Sequence, residues 1–283
     1  MQAQSKPFAA LQQRKWSRAA MNDLESPILL SERKDAAAYL TLNRPERLNA
    51  MSLALWQALG AGIGALAGEE DLRCLVLRGA GGKAFGAGAD ISEFPEKRAS
   101  AADAEAYAEA IEPTLQALAA FPAPSLAAIQ GVAAGGGLEL ALLCDLRIAN
   151  ESARFGIPIN KIGHCLPYPA MVALVELVGR SAALEILLEG RVFGAKEALR
   201  MGLVNRVVAD SDFEEEIAAA VARIVSGAPL AARQHKQMAR RALEPRPLSA
   251  EELASAYALC DSQDYREGVS AFLEKRKPVF EGR

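Results

Sequence analysis

Histidine is almost missing from this sequence: its 283 residues include two, His164 and His235, so a histidine-based triad has few candidates. Cysteine is sparse and scattered. Cys74, Cys144, Cys165 and Cys260 form no CxxC pair and no pattern with histidine, which argues against a metal site and for reduced thiols in a cytosolic protein. An excess of charge of one sign is lacking too. The formal net charge of −3 speaks against a general nucleic-acid or membrane-surface binder. No apolar run is long enough to span a bilayer; 117–134 comes nearest, but Pro122, Pro124, Ser125, Gln130 and Gly131 interrupt it. The glycine-rich stretch 77–94 carries neither GxGxxG nor the P-loop Lys-Ser/Thr, so a dinucleotide or nucleoside-triphosphate site has little support.

What is present is an ordinary globular composition, 51% hydrophobic and 24% charged, in a chain long enough for a sizeable core. Residues 1–25 stand apart. Met1–Met21 holds Lys6, Arg14, Lys15 and Arg18 and no acid, which reads as a loosely docked extension or, alternatively, as an organelle transit peptide. Beyond it, strand and helix signals alternate. Strands are predicted at 36–42, 74–77, 126–129, 145–149 and 203–208, and helices at 52–66, 102–120 and from Gly135. A mostly helical part follows: 169–178, 181–188, 195–201, 212–226, 229–242, 249–260 and 264–274. Strands separated by helices predict an α/β core, placed at 26–210, with a helical C-terminal region at 211–283.

Chemistry concentrates in 121–163, where three glycines, Gly135–Gly137, open an apolar helix that carries one carboxylate, Glu139. The first N–H groups of a helix lack intrahelical partners, and the positive end of the helix dipole lies behind them. A glycine there lets a ligand oxygen approach, so Gly136 N–H is a candidate donor to an anionic oxygen. Glu139, three residues on, shares its face. Flanked by Leu138, Leu140, Ala141, Leu142 and Leu143, it is a carboxylate in apolar company, which needs a partner or a function. A carboxylate beside an oxyanion donor suits proton transfer next to a carbonyl. Ala87, between Gly86 and Gly88, is a candidate second donor. Asp90, with Glu93 three residues later, reads first as a helix cap.

Together these segments resemble the enoyl-CoA hydratase/isomerase (crotonase) family. The matching motifs are NRPERLNAMS (43–52), KAFGAGADISEF (83–94), GVAAGGGLELALLCDLRIA (131–149), GAKEALRMGLVNRVV (194–208) and FLEKRKPVFEGR (272–283), in family order. The resemblance implies a spiral of ββα turns with a helical trimerisation region, in homotrimers or dimers of trimers. It implies an acyl-CoA thioester as substrate, no cofactor beyond the CoA that the substrate brings, and a cytoplasmic location. By position, Ala87 and Gly136 would form the oxyanion hole and Glu139 would be the acid/base. Arg47 and Leu48 would meet CoA, Ala89, Asp90 and Ile91 would line its adenine and pantetheine path, and Phe272 and Lys275 would lie on the C-terminal helix that reaches a neighbour's CoA. A solvated helix face accounts equally well for Lys275.

One departure limits the reaction. Family hydratases use two glutamates on one water; Glu139 matches the first, and Ile159 stands where the second belongs. The following run is altered to His164-Cys165-Leu166-Pro167, in which His164 is a candidate substitute group, though a lone histidine there is more often structural. Hydration needs a base for water and an acid for carbon, so reactions that manage with one base fit better: a double-bond shift, a decarboxylation or other enolate chemistry. A non-catalytic acyl-CoA-binding protein and a hydrolase are the alternatives.

Overall fold

The computed structural model describes residues 27–283; the expected N-terminal extension lies outside them. Two sheets organise the chain. The larger has six strands in the order β1-β2-β3-β5-β7-β10: β1 (Leu29–Lys34), β2 (Ala37–Leu42), β3 (Cys74–Gly79), β5 (Ser125–Ile129), β7 (Leu146–Asn150) and β10 (Arg206–Val208). The smaller is β4 (Ala84–Gly86), β6 (Val132–Ala134), β8 (Arg154–Gly156) and β9 (Phe193–Gly194).

Each strand of the large sheet from β3 to β7 is followed by a short strand of the small sheet and then by a helix. β3 and β4 lead to α3 (Ala101–Ala119), reached through a four-residue helix α2 (Phe94–Lys97). β5 and β6 lead to α4 (Gly135–Leu142), and β7 and β8 to α5 (Tyr168–Glu189). The expected ββα spiral is therefore present, and it is an α/β fold. Its central strands pair in parallel, as crossover connections demand.

Burial follows the sequence pattern. β5 is buried on both faces along its whole length, as a central parallel strand should be. α1 (Leu53–Ala67) is capped by Ser52, whose hydroxyl accepts from Leu55 N–H at 3.3 Å, and it buries Leu55, Trp56, Leu59, Ile63 and Leu66. Its partner is α3. There Thr114 donates to Trp56 O at 3.0 Å, and Gly60 leaves room for that hydroxyl, since a Cβ would stand 2.4 Å from it.

β1 escapes the sequence reading because it is an edge strand whose residues after Leu29 are exposed, with no alternation to detect. The two helices predicted at 169–178 and 181–188 are continuous as α5 but broken at Gly179, whose φ is +74°. The boundary after 210 needs correcting. α7 (Phe213–Val225) packs Phe213, Ile217, Ala220 and Val221 against Ala37, Val76, Leu126 and Ile148 of the large sheet, so it completes the core. The short α6 (Ala195–Arg200) precedes β10, and α8 (Pro229–Ala242), α9 (Ala250–Ala258) and α10 (Gln263–Glu274) follow α7. Among the described residues no helix is long and apolar enough to cross a membrane.

Candidate active site

The site is built where α4 enters between strands of the small sheet. Gly137 lies so close to β4 that a Cβ on it would stand 2.1 Å from Gly86 O. Two residues out from that contact, Gly135 and Gly88 face each other; both have positive φ, +42° and +115°, and a Cβ on Gly135 would be 3.4 Å from Gly88 Cα. Close approach thus demands these glycines, and it brings the start of α4 beside the segment that leaves β4. A Cβ on Gly136 would meet Trp56 at 3.4 Å and Met51 at 3.7 Å, so an apolar wall stands behind that amide.

Backbone hydrogen bonds decide which amides are free. Ala87 N–H donates to Leu48 O at 3.0 Å, so this amide is engaged within the chain, contrary to the expectation that it serves an incoming oxygen. Ala89 differs. Met51 pairs with it in a parallel bridge in which Met51 N–H donates to Gly88 O and Asp90 N–H to Met51 O. That pattern points Ala89 N–H away from Met51, and no acceptor meets it among the described residues. α4 also begins without a capping side chain, which leaves Gly136 N–H without one. The pair of outward amides is therefore Ala89 and Gly136. The sequence places Ala89 one glycine further along, on the expected CoA path, and gives no sign of which alanine turns its N–H out.

Glu139 lies on the first turns of α4, partly buried. Burial pushes its carboxyl up to about 7, against the opposing pull of the Arg98 guanidinium, and no hydrogen bond holds its charge. A carboxylic acid that is half-ionised near neutral pH both takes and gives a proton, which is the property an acid/base group needs.

Arg44, Asn49 and Asp90 fix the surrounding loops. Asp90 caps the turn Ile91–Glu93, accepting from Ser92 Oγ at 2.6 Å, and it pairs with Arg44 at 2.8 Å. These bonds hold its carboxyl below the usual range. The cap reading of Asp90 therefore stands. Glu93 does not complete a capping box; it accepts from Leu53 N–H at the start of α1, at 2.9 Å. Asn49, buried and at φ +55°, donates to Ala84 O at 2.7 Å and Ala80 O at 3.0 Å and accepts from Arg44 N–H.

The remaining expected residues surround this frame. Arg47 and Leu48 lie on the exposed turn before Asn49, Leu48 in the left-handed region at φ +51°. Ile91 is exposed. Ile159 is on the short helix Pro158–Ile162, partly buried and packed against the main core, and supplies no polar side-chain atom. His164 is exposed and donates its backbone N–H to Ile159 O at 3.2 Å. Phe272 and Lys275 are on the far C-terminal part: Phe272 is exposed beside a groove lined by Leu230, Tyr265, Val269 and Phe280, and Lys275 ends α10 in the left-handed conformation. Sequence reasoning missed Arg98, Tyr107 and Asn49. Only the fold brings them to the site, although an asparagine after a turn proline is a signal for left-handed backbone.

Comparisons with known proteins converge. The profile of the enoyl-CoA hydratase/isomerase family matches residues 32–283. A crotonyl-CoA hydratase from Syntrophomonas wolfei is 35% identical over 256 residues, covering 89% of this chain and 97% of the relative. The 2,3-dehydroadipyl-CoA hydratase of Escherichia coli is 37% identical over 259 residues, covering 90% of this chain and 99% of the relative. Among solved structures, an enoyl-CoA hydratase/carnithine racemase from Magnetospirillum magneticum superposes with a TM-score of 0.89 at 45% identity, covering 92% of this chain and 97% of that one.

Proposed function

We propose, from the premise that this chain belongs to the enoyl-CoA hydratase/isomerase family, that Glu139 moves protons on an acyl-CoA whose thioester oxygen is held by the N–H groups of Ala89 and Gly136. The observation that carries this reading is the unbonded Glu139 carboxyl, raised to about 7 on the same helical face as an uncapped amide.

The chemistry follows from one base. In a 3-enoyl thioester, Glu139 as carboxylate takes a proton from C2. The electron pair moves onto the thioester oxygen as an enolate, and the two amides stabilise that charge without reorganising. The protonated carboxyl then delivers its proton to C4, the double bond shifts to C2–C3, and Glu139 returns to its starting form. No net proton is consumed. Hydration would ask for a second group to activate water, and Ile159 offers none, so we favour isomerisation over hydration. CoA enters as part of the substrate, and the reaction so written calls for no cofactor.

We further read the protein as a cytoplasmic homotrimer or dimer of trimers. Leu253, Tyr257, Phe272 and Leu273 expose 56%, 74%, 83% and 75% of their surface on the C-terminal helices, more apolar area than a lone copy would leave to water. Light scattering after gel filtration gives the stoichiometry.

The deciding measurement compares turnover of 3-enoyl-CoA and 2-enoyl-CoA by wild type and Glu139→Gln. Isomerisation exceeding hydration, and lost in the variant, supports the reading. Full activity in Glu139→Gln would remove Glu139 from the reaction.

A further inference from the structure

Arg98, the cation that acts on Glu139, takes no part in the proton transfer. The Arg98 guanidinium is stacked between two rings, 4.7 Å from the centroid of Phe94 and 4.0 Å from that of Tyr107. Its Nε–H is shut off from water and has no acceptor. No carboxylate forms an ion pair with it among the described residues. Glu93 is engaged elsewhere: its oxygens meet Leu53 N–H, the Tyr107 hydroxyl at 3.5 Å and Lys97 at 3.4 Å. Arg98 is also the cation whose field reaches Glu139.

A stacked, partly desolvated arginine without a counter-ion is costly to keep, because guanidinium donors removed from water need acceptors. The rings hold its plane in place, and this is how an arginine is prepared for a planar anion. Glu139, the carboxyl that Arg98 does reach, is itself half neutral near pH 7. A neutral hydrocarbon acyl chain would leave that positive charge uncompensated.

We propose that Arg98 is a specificity-determining residue that receives a carboxylate carried by the acyl chain, so that the preferred substrate is the mono-CoA thioester of a dicarboxylic acid. The inference rests on the acyl-CoA reading of the site but not on any turnover. With the Nε–H enclosed, the terminal N–H groups supply the donors of an end-on pair, and Phe94 and Tyr107 keep them from rotating away.

Binding of unreactive thioesters tests it. Succinyl-, glutaryl- and adipyl-CoA are each compared by calorimetry with the uncharged acyl-CoA of equal chain length, for wild type, Arg98→Met and Arg98→Lys. Wild type is expected to bind at least one acid about tenfold or more tighter than its neutral partner, since a charge-assisted pair in a desolvated site is worth that ratio. Arg98→Met is expected to abolish the preference while binding the neutral ester as before, and Arg98→Lys to keep part of it. Thermal melts confirm that the variants fold. If Arg98→Met does not fold, the preference in wild type and its reduction in Arg98→Lys carry the test. Neutral esters bound as well as the acids, or both weakened alike by Arg98→Met, would overturn the assignment. A preserved acid preference in a protein that turns over no thioester would overturn only the catalytic reading, and no binding of any CoA ester would overturn both.

Discussion

Ala87 gives its N–H to Leu48 at 3.0 Å, whereas the bridge to Met51 turns the N–H of Ala89 outward. Each alanine follows a glycine in the GAGA string, so which amide faces outward is a property of the bridge to Met51 and not of that string.

The amide of Gly136 can be removed without removing its residue. Gly136→Pro lies in the first turn of α4, where a proline is tolerated, and it deletes the N–H. Gly136→Ala adds a Cβ but keeps the donor, and that Cβ meets Trp56 at an ordinary 3.4 Å. Turnover by Gly136→Pro should fall by roughly 10²–10³-fold, and by Gly136→Ala much less. Equal losses would mean that the contact with Trp56, not the amide, matters.

Replacement of Glu139 by Gln preserves shape and removes the proton carrier. Its kcat should fall by roughly 10²–10⁴-fold with KM nearly unchanged. Steady-state kinetics on the better of the two enoyl-CoA isomers measures this split.

The pH dependence has a definite sign. With the Glu139 carboxylate as the proposed base, isomerisation by wild type should rise with pH through about 7 and level off above it. Stability runs the opposite way. A folded-state value of about 7 lies above the ordinary 4.5, so the folded chain binds this proton more tightly than the unfolded one. The advantage is complete below 4.5 and is lost as pH rises to about 7. The difference in these values corresponds to a loss on the order of 3 kcal/mol. Glu139→Gln should lack that loss and be more stable than wild type at pH 8. Denaturant midpoints at pH 5 and pH 8 test it.

Restoring a carboxylate at 159 should change the reaction and not simply its rate. Ile159→Glu returns a second proton-handling group and is expected to raise the ratio of hydration to isomerisation by roughly 10-fold or more, on the scale of general acid/base contributions. Because Ile159 packs against the core, the variant should also lose about 1–3 kcal/mol of stability. An unchanged ratio in a folded variant would separate Ile159 from the choice of reaction.

Sequence reading reached the GGG–Glu139 helix, the Asp90 cap and most helices through local periodicity and capping, and the family through the resemblance of five motifs in order. It missed β4, β6, β8 and β9, which are two or three residues long and formed by pairing with neighbours distant in the chain. It chose Ala87 over Ala89 because the direction of an N–H depends on register with Met51. It did not see Arg98, since nothing local ties an arginine at the end of α2 to a glutamate on α4. That α7 covers the large sheet is not legible for a related reason: its apolar face is plain in the sequence, but what it faces is not.

Asn49 joins three pieces of chain with one side chain, holding the carbonyls of Ala80 and Ala84 and the amide of Arg44. With the Arg44–Asp90 pair and the Met51–Ala89 bridge, it makes the turn bearing Arg47 and Leu48 and the segment bearing Ala89 a single rigid body. A ligand that pulls on the exposed turn therefore pulls on the outward Ala89 amide, the proposed oxyanion donor, as well. Affinity for the remote end of a substrate and alignment of its reacting carbonyl become one mechanical variable, so the enzyme cannot loosen its hold on the handle without blurring its aim at the bond.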